Sequence, residues 1–200
     1  MIPRIIYQTH EFDYDKLPSL GKESSSTWKN LNKGWEYVYM NSLVRKEYIF
    51  KNMPEIKKIY EYLPNEFKAD IWRYLISYNN GGVYADMDSV CLKPLDDMLK
   101  NYSKNYDMIC LNPVDGFINN SNFASVKHSY ILNNILKQWR YFALHFDELK
   151  TTVLNSYIFN STVTPVLFSK NVTYNKERVL FSMDDFAYHS LNFKFEGFNG

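Results

Sequence analysis

At 200 residues, 46% of them hydrophobic and 18% aromatic, the chain has the length of one domain that buries roughly 70% of its unfolded surface, and intrinsic disorder is excluded. A formal net charge of +1 gives no electrostatic basis for nucleic acid or an anionic membrane as the main partner. Cys91 and Cys110 are the only cysteines, too few for a disulfide framework and without a CxxC metal pattern, so a reduced compartment is the expectation.

The opening MIPRIIYQTH is too short and too polar for a signal h-region, and no apolar run of about 18 residues follows. A cytoplasmic chain without a transmembrane segment is therefore expected, and the sequons at Asn101 and Asn160 are read as chance. RIIYQTH (4–10) reads as a buried strand with polar Gln8 and Thr9 at its C-terminal end, and WEYVYMN (35–41) as a second strand. Asn41 or Ser42 can cap a helix over 43–50, and Pro54 suits the first turn of another short helix. The strongest helix spans 66–79, where Phe67, Ile71, Tyr74, Leu75 and Tyr78 form one apolar face. Asn65 is placed to cap it and Gly81-Gly82 to stop it.

VYAD (83–86) and DMICLN (107–112) read as further strands, 128–139 as a helix and VLFSM (179–183) as a late strand. Alternating strand and helix signals favour an α/β domain with a mainly parallel sheet flanked by helices. No repeat, low-complexity tract or linker divides the chain, so one domain over 1–200 is expected.

In open α/β sheets ligands sit beyond the carboxyl ends of strands, and Asp86 and Asp88 fall there. Side chains two apart in an extended segment point to the same side, so the two acids repel unless a cation lies between them. An oxygen pair suits Mg²⁺ or Mn²⁺, which keep waters and bridge to substrate phosphates. The same spacing also fits a solvated acidic turn. Asp70 and Arg73 are three apart on the helix leading into this strand, and they read either as a surface ion pair or as a carboxylate for sugar hydroxyls beside a guanidinium for phosphate. A semi-exposed pair contributes under about 1 kcal/mol to folding, so its loss is expected to affect turnover more than stability.

Other residues read as structural first. Trp72 and Trp139 lie in helix patterns and suit the core; Trp28 and Trp35 fit core or rim packing as well as stacking on a base or sugar. Cys91 reads as a small buried hydrophobe, and His10 and His145 have no carboxylate at a telling spacing.

The stretches IPRIIYQTH and KADIWRYLISYNNGGVYADMDSVCLKPLD (68–96), with weaker echoes in NFASVKHSYI (122–131) and STVTPVLFSK (161–170), resemble the DXD-containing glycosyltransferases of family 32. That group includes initiating α-1,6-mannosyltransferases, capsular polysaccharide transferases and, distantly, the clostridial glucosylating toxins. The resemblance implies a single GT-A (Rossmann-like) domain and sugar transfer from a nucleotide-sugar donor to a glycan or polysaccharide acceptor. It assigns Asp86 and Asp88 to Mn²⁺ (or Mg²⁺) against the donor diphosphate, and Asp70 and Arg73 to the donor sugar and its phosphate. It further assigns Tyr7, Gln8 and Thr9 to the edge of the base pocket, and Asn122 and His128 to the border of donor sugar and acceptor. Asp70, Arg73 and Asp88 carry the chemistry in that assignment.

Two departures stand out. Thr164-Pro165 replaces the family's usual Gly-Pro, and the family's C-terminal His followed by Ser-Trp is absent from a chain ending FEGFNG. His189 or Glu196 would have to substitute, though such residue types are more often simply exposed. Large side chains near the start (Tyr7, His10, Phe12, Tyr14, Trp28, Trp35) favour the smaller base, hence a UDP-sugar with UDP-glucose as first choice; GDP-mannose and a non-catalytic sugar-nucleotide module are the alternatives. A nucleotidyltransferase fits less well, lacking a third acid and a phosphate-gripping loop. The family mostly retains anomeric configuration; inversion would need a general base, for which Asp115, Asp184 and Asp185 stand unranked.

Overall fold

The computed structural model describes residues 1–100, 107–110, 120–147, 179–181 and 188–189. A six-stranded sheet forms its centre, in the order β2 (Glu36–Met40), β1 (Ile5–Thr9), β3 (Gly82–Ala85), β6 (Asn122–Ser125), β5 (Met108–Cys110) and β7 (Val179–Phe181). β1 pairs parallel with β2 and β3, and β5 with β7, whereas β6 is antiparallel to both β3 and β5. The expected mainly parallel sheet is present, with β6 alone reversed. A second, two-stranded sheet pairs β4 (Ser89–Val90) antiparallel with β8 (Tyr188–His189).

Helices cover both faces. On one lie α2 (Ser42–Asn52), α3 (Asn65–Asn80) and α5 (Tyr130–Leu144), packed over Tyr7, Tyr84 and Phe123. On the other, Trp28 of α1 (Ser19–Leu31) and Leu95, Met98 and Leu99 of α4 (Leu95–Leu99) pack over Ile6, Val83, Ala85 and Ala124. The alternation along β3 accounts for the split, since Tyr84 points to one face and its neighbours to the other. Trp72 and Trp139 are core, as expected. Among the described residues no helix is long and apolar enough to cross a membrane.

Helix ends follow the sequence only in part, and α5 runs Tyr130–Leu144 where 128–139 is expected. Asn41 caps α2 by accepting from the Val44 amide at 2.9 Å, and Pro54 opens a short 3-10 turn. Asn65, however, is not the cap of α3: it is already helical, and Pro64 occupies the cap position without a side-chain bond. A proline there forfeits nothing, because the first amides of a helix have no intrahelical partner anyway.

α3 ends at Gly81 and Gly82, both at positive φ (69° and 110°). Space enforces the choice as well. A Cβ on Gly82 would stand 2.7 Å from the Ile5 carbonyl oxygen and 2.9 Å from the Tyr7 ring, and one on Gly81 would stand 2.7 Å from the Lys127 amide nitrogen. Left-handed backbone costs a non-glycine residue about 1–2 kcal/mol, and the backbone collision adds to it. Gly82→Ala is therefore expected to lower stability by at least about 2 kcal/mol, read as a lower urea midpoint at unchanged m-value; a parental midpoint would refute this account of the break.

Candidate active site

β3 delivers its carboxyl end to a cleft of about 210 Å³ lined by His10, Leu20, Gly21, Asp86, Met87 and Asp88. The strand itself stops at Ala85. Residues 86–89 form a tight turn, closed by the Ser89 amide donating to the Asp86 carbonyl at 3.1 Å. The two acids therefore reach one cleft through a turn and not through strand alternation. α1 holds the far side of this turn: Trp28 Nε1 donates to the Ser89 carbonyl at 2.7 Å, and the Ser24 hydroxyl donates to the same oxygen.

Asp86 leans toward α3, on the face of β3 shared with Tyr84, whose hydroxyl donates to Asp86 Oδ1. Arg73 meets it there. Nη2 of Arg73 stands 3.2 Å from Oδ1 of both Asp70 and Asp86, and Nη1 donates to the Asn120 carbonyl at 2.9 Å. The guanidinium lies over the Tyr84 ring, 4.5 Å from its centroid. With Arg73 only 7% exposed, the surface ion pair allowed by the spacing is in fact a buried hub. Helix periodicity brings Asp70 and Arg73 to one face, but only the sheet brings Asp86 to meet them.

Asn120, which no sequence signal singled out, completes the hub: its Nδ2 stands 3.2 Å from Asp70 Oδ1 and 2.6 Å from the Tyr74 hydroxyl. His10 was also missed, although its place just past the end of β1 is where the strand-end rule puts ligand contacts. Burial holds the His10 imidazole below its ordinary pKa, with Arg45 acting in the same sense and Glu11 against it.

Asp70 and Asp86 share the guanidinium of Arg73, and Asp88 lines the cleft beside Asp86. Burial pushes the Asp86 carboxyl above the usual range; Arg73 and the Tyr84 hydroxyl oppose this, and Asp88 and Asp70 reinforce it. Burial likewise raises Asp70 against the pull of Arg73 and Asn120. Burial opposes the charge on Arg73, yet Asp86, Tyr84 and Asp70 hold it protonated more firmly than usual. The carboxylate oxygens of Asp86 and Asp88 lining one cleft fit a hard divalent cation. No group of three or more His, Cys, Asp or Glu gathers for a metal among the described residues.

Residues 18–124 match the model of the glycosyltransferase sugar-binding region containing the DXD motif, which is more than half of the chain. The chain belongs to this DXD glycosyltransferase family. Its relatives include the initiation-specific α-1,6-mannosyltransferase of Candida albicans, 31% identical over 105 residues that make up 50% of this chain and 27% of that enzyme. The shared segment is thus well under half of that relative's length. Among solved structures, the PaToxG glycosyltransferase superposes with a TM-score of 0.53 at 13% identity, over 84% of this chain and 67% of that one. The UDP-bound glycosyltransferase domain of the YGT toxin gives 0.51 at 12% identity, over 83% and 65% respectively. These two likenesses show the glycosyltransferase fold.

The remaining assigned residues of this DXD glycosyltransferase separate by position. Tyr7, 2% exposed, sits in the core edge-on to Trp72, so it has no surface with which to border a base. Thr9 is tied to the Met40 carbonyl at 2.6 Å and receives Arg45 Nη1 at 3.1 Å. Gln8 is buried too, bonded to the Asp86 carbonyl. Asn122 lies opposite Ala85 on β6, beside the turn, and donates to the Ser89 hydroxyl at 2.9 Å. Its Oδ1 finds no hydrogen-bond partner among the described residues.

Since β6 runs antiparallel, it carries His128 to the opposite end of the strands, where the His128 amide donates to the Tyr78 carbonyl and its ring meets Tyr78. His128 is therefore remote from the cleft. Main-chain pairing sets His189 opposite Ser89, one position past Asp88. Cys91 is buried, as expected. Trp28 is buried and Trp35 half-buried against the second core. His145 stacks on Tyr141 at the end of α5. Asp115, Thr164-Pro165, Asp184, Asp185 and Glu196 lie outside the described residues.

Proposed function

We propose that this chain transfers a hexose from a nucleoside diphosphate sugar to a hydroxyl of a glycan or polysaccharide acceptor, with Mn²⁺ or Mg²⁺ held by Asp86 and Asp88. One observation carries the reading: at the carboxyl end of β3 the carboxylates of Asp70 and Asp86 meet on the Arg73 guanidinium, and Asp86 and Asp88 line one cleft. Bound there, the divalent ion would neutralise the diphosphate as it leaves. Asp86 and Asp88 hold that charge in the cleft. Arg73, occupied by Asp70, Asp86 and Asn120, fixes the carboxylates and opposes the effect of burial on Asp70, whose oxygens would accept from sugar hydroxyls. In the transfer the bond from the anomeric carbon to the diphosphate oxygen breaks, the acceptor oxygen bonds to that carbon, and the acceptor hydroxyl's proton passes to the departing diphosphate or to solvent. The transition state is oxocarbenium-like.

The preference for UDP-glucose depended on large side chains crowding a base pocket, and two of them, Tyr7 and Trp28, are buried in the core. The mannosyltransferase activity named for the Candida albicans relative supports mannose as the sugar, so GDP-mannose is the donor to test first, with UDP-glucose beside it. Each is incubated with Mn²⁺, with and without simple glycoside acceptors, and release of free nucleoside diphosphate is followed. Faster release from GDP-mannose, abolished by EDTA, is the expected result. Release from UDP-glucose alone would reverse the donor and leave the transferase reading standing; binding without release from any donor would leave a sugar-nucleotide module.

A further inference from the structure

Gln8 is wholly buried, at 0% exposure, and a buried amide costs about 1–3 kcal/mol for each polar end left unbonded. Both ends are bonded. Nε2 donates to the Asp86 carbonyl at 3.0 Å, and Oε1 accepts from the Tyr37 hydroxyl at 2.7 Å. The orientation follows from chemistry: a carbonyl only accepts, so Nε2 must face Asp86, and the hydroxyl at the other end must donate.

The location of this bond gives it a role. The register of β1 with β3 pairs Ile6 with Val83 and Tyr7 with Tyr84, and stops there. One step further on, the Gln8 side chain supplies the next rung, to the very carbonyl that closes the turn onto the Ser89 amide. Ser24 and Trp28 secure the other end of that turn at the Ser89 carbonyl. The segment bearing Asp86 and Asp88 is therefore gripped at both ends by buried side chains.

We infer that Gln8 is a positioning residue for the two aspartates, acting through the Asp86 main chain, and that the Tyr37 hydroxyl sets the direction of its amide. This rests on the metal-binding reading of Asp86 and Asp88. It moves Gln8 from the edge of a base pocket to the support beneath the metal site. Groups that orient metal ligands from behind typically contribute about 10–100-fold to metal affinity.

The test titrates Mn²⁺ into the full chain with UDP or with GDP present, read by enhanced water-proton relaxation. Three variants are compared: Gln8→Met, which keeps the shape and removes both polar ends; Tyr37→Phe, which removes one hydroxyl; and Ile71→Val, a core change that calibrates the effect of lost stability alone. Gln8→Met is expected to weaken Mn²⁺ about tenfold or more, Tyr37→Phe several-fold, and Ile71→Val not at all. Parental Mn²⁺ affinity in Gln8→Met, or a loss no larger than in Ile71→Val, overturns the positioning role. Parental affinity in Tyr37→Phe overturns the part given to the hydroxyl, and that variant decides the whole question should Gln8→Met fail to fold. Failure of the parental chain to bind Mn²⁺ at all would remove the metal reading and this inference with it, and is seen before any variant is made.

Discussion

Asp88→Asn is expected to lower kcat/KM for nucleotide-sugar turnover by about 10³-fold, which is about 4 kcal/mol of lost transition-state stabilisation, while leaving the fold intact. The reasoning is electrostatic. Asp86 and Asp88 line one cleft, and Arg73 pairs with Asp70 and Asp86. Without a divalent ion the acids repel, so neutralising one relieves the empty site even as it removes a ligand. Two measurements separate these effects. Calorimetry of UDP and GDP in Mn²⁺ should lose most of its binding, and the urea midpoint without metal should stay level or rise. Retained nucleotide affinity in the variant, equal with and without EDTA, would take the metal out of the mechanism.

Arg73→Ala should behave in the opposite way, with a loss of about 3–5 kcal/mol of folding stability. The exposed-pair expectation of under about 1 kcal/mol does not survive the structure, because Arg73 is buried between two carboxylates, the Asn120 carbonyl and the Tyr84 ring. Its removal strands Asp70 and Asp86, whose carboxyls burial already disfavours as anions. The urea midpoint should fall steeply. Adding Asp70→Asn and Asp86→Asn should restore part of it, since the penalty belongs to the uncompensated charges more than to the missing contacts. A single variant within about 1 kcal/mol of the parent, or no recovery in the triple variant, would show that the hub contributes little to the fold.

The contrast between the two substitutions matters for reading any activity screen. A dead Asp88→Asn protein reports on chemistry, whereas a dead Arg73→Ala protein reports first on folding. Arg73→Lys, which keeps the charge but loses the planar fork, is the fairer probe of the arginine. Its expected signature is a smaller loss of stability than in Arg73→Ala, together with a reduced kcat.

Several elements were legible because their signals are local. β1 is a short apolar run, α3 carries an apolar face at helical spacing, and Gly81-Gly82 marks a break that only glycine can make at positive φ with backbone within 3 Å of a Cβ. α1 was not legible. Its buried positions are Gly21, Ser24, Ser25 and Trp28, mostly small and polar, which let the helix approach the turn closely but leave no apolar stripe to read. β6 was hidden for another reason: it has only four residues, and its reversed direction is a property of pairing.

For the site, sequence alone determined the ingredients: the D-x-D spacing, its place after a buried strand, and an aspartate and arginine on one face of the preceding helix. Those are distances along the chain, which local periodicity converts into a shared face or a shared strand end. Tertiary structure decided what the ingredients are for. It turned Arg73 inward to bridge Asp70 and Asp86, recruited Asn120 from 47 residues beyond Arg73, brought His10 to the cleft, and sent Tyr7 and His128 away from it. Such contacts depend on which strand lies beside which and in what direction, and on which face is covered. Those outcomes are settled by burying the whole core at once, so no window of the sequence holds them.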